Sequence, residues 1–225
     1  MKTKTKNIHR FQGSLVDELV SQTGPAKKIQ PAWAQWLTWL ALSVGCMVLL
    51  LLKMGILNNF EELRHQMPPM AFLFTAFLGA ALAAWEAISS SLPGRRTGRG
   101  YRFLEVLVLL ALLLIPFLFF VKGGEGLDIV AACRNGWGCI QGAFFAGILP
   151  WILLGFILSK NASFHPGWTG AWSGVSAFLL GAITIQIHCP NWETGHMVFA
   201  HLLPVAFFTF LATFVGAYWF SRWRQ

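Results

Sequence analysis

The stretch Ala182–His201, AITIQIHCPNWETGHMVFAH, decides how the chain is read. Its two ends are apolar enough for hydrocarbon, and its middle gathers His188, Cys189, Pro190, Glu193 and His196, with His201 close behind. Ionisable and metal-capable side chains are costly in or beside a bilayer, so their collection between two apolar arms points to a site. The segment reads as one membrane helix ending, a polar turn, and a second membrane helix beginning.

The composition around it agrees. Of 225 residues, 56% are hydrophobic and 12% charged, with eleven Trp and twenty Phe. An ordinary soluble domain carries about 25% charged residues. A globular core could not absorb this much apolar surface, so the class is integral membrane protein, in contact with a lipid bilayer. A helix crossing the hydrocarbon needs about 20 apolar residues. Six segments qualify: Trp36–Leu52, Met70–Ile88, Phe103–Val121, Ile140–Ser159, Trp168–His188 and Met197–Phe220. The fifth is the least apolar and is rich in Gly, Ser and Thr, which suits close packing inside a bundle. The period-two strands of a barrel are missing. The expected fold is therefore all-α, a six-helix transmembrane bundle. No cleavable signal peptide is expected, because the apolar run starts near Trp36 and no small-x-small site comes after it.

Charge sets the orientation. The net charge is +8. With the N-terminus inside, Lys2, Lys4, Lys6, Arg10, Lys27, Lys28, Arg95, Arg96, Arg99, Arg102, Lys160, Arg222 and Arg224 are cytoplasmic, and only Lys53, Arg64, Lys122 and Arg134 lie outside. Such a bias obeys the positive-inside rule and places both termini in the cytoplasm. The basic tail then marks the cytoplasmic face, and no direct nucleic-acid binding is expected. His188, Cys189, Glu193 and His196 fall in the external loop between the fifth and sixth spans, and Cys133 and Cys139 in the preceding external loop. In a bacterial inner membrane that face is the periplasm, where thiols oxidise and incoming metal ions first appear.

Four cysteines without a CxxC exclude a zinc ribbon or thioredoxin motif. Cys139, opening the fourth helix, should have its thiolate favoured by the helix dipole, whereas Cys189, closing the fifth, should not. One reactive and one resolving thiol suit redox sensing. Two thiolates with His188 or His196 suit a soft divalent metal as signal, with no obligatory cofactor. A plain stabilising disulfide, or two unpaired small residues, is the alternative for the same pair. Cys133 competes for Cys139, because Gly136 and Gly138 make CRNGWGC a flexible loop. Cys46, mid-span, is read as a buried small apolar residue. His196 and His201 are five apart, which is not one α-helical face, so His201 is read as a packing residue. His165 lies on the cytoplasmic side, and Glu86 and Glu105 at cytoplasmic helix ends pair with the Arg-rich loop.

The second informative segment is GSLVDELVSQTGPAKK, Gly13–Lys28. Ser14 and Asp17 form a weak capping box, Leu15, Val16, Leu19 and Val20 share one face, and Gly24–Pro25 stops the helix. So short a helix is unstable alone in water. Its polar face carries Asp17 and Glu18 rather than interleaved lysines, which favours docking on a soluble partner over lying on lipid. The chain thus divides into two units: residues 1–33, a cytoplasmic partner-binding segment with this short amphipathic helix, and 34–225, the six-span domain.

LVDELV with its Pro-containing linker, the six spans, GCIQGAFFAGILPW and above all HCPNWETGHMVFAHLLP together resemble the NrsF-type membrane anti-sigma factors, negative regulators of an extracytoplasmic-function (ECF) sigma factor. The resemblance implies a chain that is not an enzyme. It would sequester an ECF sigma factor through its N-terminal segment, with Leu15, Val16, Asp17, Leu19 and Val20 as contacts, and release it under heavy-metal or oxidative stress. It implies a signalling pair of periplasmic cysteines at Cys139 and Cys189, from which the extra external Cys133 departs. The competing reading is a membrane thiol-disulfide/quinone oxidoreductase, against which stand the missing CxxC and the acidic amphipathic tail. A small transporter would need broken helices and midplane charges that are not evident.

Overall fold

The computed structural model describes residues 29–55, 67–94, 98–123, 129–161, 163–189 and 191–221. By its internal contacts the chain divides into two units, Met1–Gln30 and Pro31–Gln225, and every described helix belongs to the second. The amphipathic stretch with Leu15, Val16, Asp17, Leu19 and Val20 lies outside the described residues.

In chain order the elements are α1 (Ala32–Met54), α2 (Met67–Ser91), α3 (Arg99–Gly123), α4 (Ile129–Leu158), α5 (Pro166–His188), the short α6 (Thr194–His196), a π-helical turn (Met197–Leu202) and α7 (Leu203–Ser221). No strand occurs among the described residues. Among the described residues, five helical stretches, Ala32–Met54, Met70–Ser91, Gly136–Leu158, Pro166–His188 and Met197–Ser221, are long and apolar enough to cross a membrane. The remaining expected span, Phe103–Val121, falls within α3. Leu52, Phe74, Phe103, Phe145 and Phe210 stand exposed on the outside. An apolar exterior of this extent is what a lipid-solvated protein presents.

Of these five, the least apolar is the innermost. The α5 window is 78% buried, against 17% for α1, and α5 packs on α2, α4 and α7. Its glycines explain why. A Cβ on Gly170 would sit 2.6 Å from the Ala212 carbonyl oxygen and 2.8 Å from the Gly216 Cα. One on Gly181 would collide with the Ala143 carbonyl oxygen and the Gly147 backbone. Lipid tails give helices no hydrophobic reason to associate, so backbone-to-backbone contact at small residues supplies the packing energy. Gly170→Leu should therefore cost about 1–3 kcal/mol or more through overpacking, read as earlier thermal unfolding in detergent. Gly155→Ala, where a Cβ meets nothing within 4 Å, should not. Equal melting of the two variants would count against glycine-mediated packing.

At one end of α5 a buried polar cluster closes the bundle. Asn161 donates to the Gln35 Oε1 at 2.9 Å and to the Ser91 Oγ at 2.8 Å, and Thr169 lies within 2.8 Å of Ser163 and 3.2 Å of Ser90 through their hydroxyls. Trp39 donates to the Pro150 carbonyl at 3.0 Å, fastening α1 to the interior proline of α4. Glu86 and Glu105 are buried on α2 and α3.

One boundary differs sharply from expectation. The fourth helix begins at Ile129, not Ile140, so CRNGWGC is helical rather than a flexible loop. Gly136 serves contact instead of flexibility: a Cβ there would lie 2.6 Å from the Ala200 Cβ. Two expectations fall with the loop. Cys139 is well inside α4, out of reach of a dipole effect confined to the first turn. Cys133 and Cys139, six residues apart on one helix, are separated by about 9 Å along its axis. That exceeds the Cα separation a disulfide allows.

Candidate functional site

The site lies at the opposite end of α5 from the polar cluster. Cys189 comes directly after His188 as the C-cap, extended at φ −77° and ψ 126°, its N–H donating to the Ile185 carbonyl at 2.8 Å. A residue preceding proline is forced out of the helical region, so Pro190 ends α5 here and turns the Cys189 side chain from helix to cap. Pro190 itself lies outside the described residues. Asn191 reverses the chain: its Oδ1 accepts the Glu193 N–H at 2.9 Å, an Asx-turn. The chain then enters α6.

Beyond α6 the helix is irregular. Through Met197–Leu202 the backbone opens into a π-turn, with the Leu203 N–H bonding five residues back to the Val198 carbonyl. Pro204 supplies the cause. It has no N–H for the Ala200 carbonyl four residues before it, and its ring crowds that carbonyl, so the turn upstream widens. Widening brings i and i+5 to one side. His196 and His201, read from spacing as lying on different faces, have ring centroids 5.2 Å apart at 62°.

Four side chains meet as a result. The Cys139 Sγ is 3.5 Å from the Cys189 Sγ, and the Cys189 Sγ is 3.3 Å from the His196 Nε2. The candidate ligand atoms of Cys139, Cys189, His196 and His201 all lie within 4.8 Å of one another. Cys189 and His196 are each 3% exposed and His201 is fully buried, while Cys139 is half-buried. Neither ring nitrogen of His201, nor the Nδ1 of His196, has a hydrogen-bond partner among the described residues. Buried imidazole nitrogens without partners carry a substantial desolvation cost.

Cys189, just beyond the α5 span, is held well below the usual thiol range. The hydrogen bond from the Cys139 thiol is the main cause, outweighing the opposing effect of burial, and the His196 imidazole adds to it. The side chains around Cys189 supply the hydrogen bonds that favour its charged form.

The other nominated residues stand elsewhere. His188 points away from the cluster, its Nδ1 2.9 Å from the carbonyl oxygen of Gly55 beyond the end of α1. Glu193 is exposed. Cys46 is half-buried on α1 and free, less enclosed than expected. The Cys133 side chain lies outside the described residues. His201 is the residue that spacing missed. Its signal was present nonetheless, as an ionisable side chain inside an apolar run, three residues before a proline.

No curated protein and no solved structure shows a significant match to the chain. A family model does: NrsF, Negative regulator of sigma F, matches residues 19–223. The matched span contains all four clustered residues, the π-turn and every described helix. The chain belongs to the NrsF family, negative regulators of sigma F.

Proposed function

We propose that this chain is an anti-sigma factor of the bacterial inner membrane, with six spans and both termini in the cytoplasm. Residues 1–33 sequester an ECF-type sigma factor, with Leu15, Val16, Asp17, Leu19 and Val20 forming the contact, and residues 34–225 act as the sensor. The stimulus, a soft metal or an oxidant, is received by Cys139 and Cys189 on the periplasmic side, and the chain does no chemistry of its own. The observation that carries this reading is the 3.5 Å approach of the two sulfurs in a chain whose family negatively regulates a sigma factor. Two thiols that close, held by α4 and by the end of α5, give a chemical event at one end of the central helix. Such an event shifts a two-state bundle only if the two arrangements differ in affinity for the partner.

Affinity purification of the detergent-solubilised full chain from its native membrane tests this. A sigma factor should elute with the chain under reducing, metal-free conditions and should be depleted after cadmium or a thiol oxidant is added. Elution with bound quinone and no sigma factor would instead favour a thiol oxidoreductase and overturn the proposal.

A further inference from the structure

We propose that Cys139, Cys189, His196 and His201 form a closed four-coordinate site for a zinc-class divalent cation, Zn²⁺ or its softer congener Cd²⁺. As the identity of the signal this rests on the sensing role proposed above; as a binding site it rests on geometry alone. A tetrahedral ion with metal–sulfur bonds of about 2.3 Å and metal–nitrogen bonds of about 2.0–2.1 Å sets its ligand atoms roughly 3.3–3.8 Å apart. The sulfur–sulfur distance of 3.5 Å and the sulfur–nitrogen distance of 3.3 Å already match those edges, and the whole set lies within 4.8 Å. A disulfide would need the sulfurs to close to about 2.05 Å and would leave the buried nitrogens of His201 without a partner. A cation satisfies both sulfurs and one nitrogen from each ring at once.

The donor set fixes the class of ion. Two thiolates and two imidazoles select zinc-like or softer divalent metals over Mg²⁺ and Ca²⁺, which take oxygen. Binding is M²⁺ + Cys189–S⁻ + Cys139–SH → M(S–Cys)₂ + H⁺, with the imidazoles neutral, so the occupied centre carries no net charge. That suits a buried position beside the membrane. Four protein ligands leave no open coordination position, the mark of a structural or sensory centre rather than a catalytic one. The ligands come from α4, the α5 cap, α6 and the π-turn, so one ion ties three membrane helices together at this end.

The test uses the reduced, metal-free full chain in detergent, with Co²⁺ as a spectroscopic probe and Zn²⁺ and Cd²⁺ in competition. One equivalent should bind with tetrahedral d–d bands and thiolate charge transfer. His201→Ala should bind at least about 100-fold more weakly, beyond what the loss of an outer-shell contact causes. His201→Cys should keep tight binding and gain charge-transfer intensity, which a misfolded variant could not do. Wild-type affinity in His201→Ala, or an octahedral Co²⁺ spectrum, would overturn the site. The two proposals fail separately. If Co²⁺ does not bind in this way while Cys139 and Cys189 remain essential for the cellular response, the site falls and the sensing role stands. If it binds in this way while the response ignores both cysteines, the sensing role falls and the site stands.

Discussion

Cys189→Ser should leave the protein in the membrane, still repressing its sigma factor, yet erase induction by cadmium and by thiol oxidants down to the uninduced level. The side chain lies at the centre of the cluster, touching both the Cys139 sulfur and the His196 ring. Moving a two-state protein from 1:99 to 99:1 takes about 5.5 kcal/mol of differential binding. Thiolate–metal coordination can supply this, since structural zinc sites contribute about 10–16 kcal/mol in apparent terms, whereas one histidine contact cannot. Cys139→Ser should behave alike, because a lone thiol neither forms an intramolecular disulfide nor completes the ligand set. Cys133→Ser should respond normally, being separated from Cys139 by about 9 Å of helix. A sigma-dependent reporter, with immunoblots of membrane fractions, reads all three. A double Cys139→Ser, Cys189→Ser protein that still answers both stimuli would show that the signal enters elsewhere.

The second large effect concerns the opposite function of the chain. Leu15→Ala with Leu19→Ala should raise sigma-dependent transcription in unstressed cells to near the induced level. Truncating a leucine in a packed setting costs about 2–5 kcal/mol, and interface anchors of about 2 kcal/mol or more dominate binding. Two such losses, about 4 kcal/mol together, weaken the complex by roughly 10³-fold. Unchanged repression at normal membrane abundance would place the sigma-binding surface elsewhere. The two sets of variants should therefore have opposite phenotypes, uninducible against constitutive.

Most of the helical frame was legible because hydrocarbon imposes a length on any apolar segment. The expected Trp168–His188 and Met197–Phe220 fall within Pro166–His188 and Met197–Ser221, the C-terminal end at His188 being set by the proline two residues on. The start of α4 was not legible. Glycine was read for its freedom at 136 and 138, whereas Gly136 is placed by its neighbour, Ala200, some sixty residues later in the chain. Long-range contact of that kind leaves no local pattern. The pair Cys139 and Cys189 could be nominated from residue type and from the family resemblance. The histidine that joins them, His201, could not be nominated by α-helical spacing, because the spacing rule presumes 3.6 residues per turn and the turn here is wider. His188 was nominated for its nearness in sequence to Cys189, but a helix end points successive side chains in different directions, and His188 faces Gly55.

A π-turn is, in evolutionary terms, an α-helix with one codon too many. Its cost is a poorer hydrogen-bond ladder, and such turns persist mostly where something is gained. Loss of a single codon within Met197–Leu202 would let the last span close into a regular helix, still apolar and still long enough for the bilayer. A codon lost between His196 and His201 would set the pair four apart, which is one face of a regular helix, and the cluster would keep its shape. One lost just after His201 would leave the pair five apart on a regular helix, about 140° from each other. The cluster would then open without any of its members having been substituted. Among relatives, the presence of the two cysteines alone would thus be a poor guide to which proteins can bind an ion. A better one is the spacing of the two histidines taken with the period of the helix between them, four residues in an α-helix or five across a π-turn.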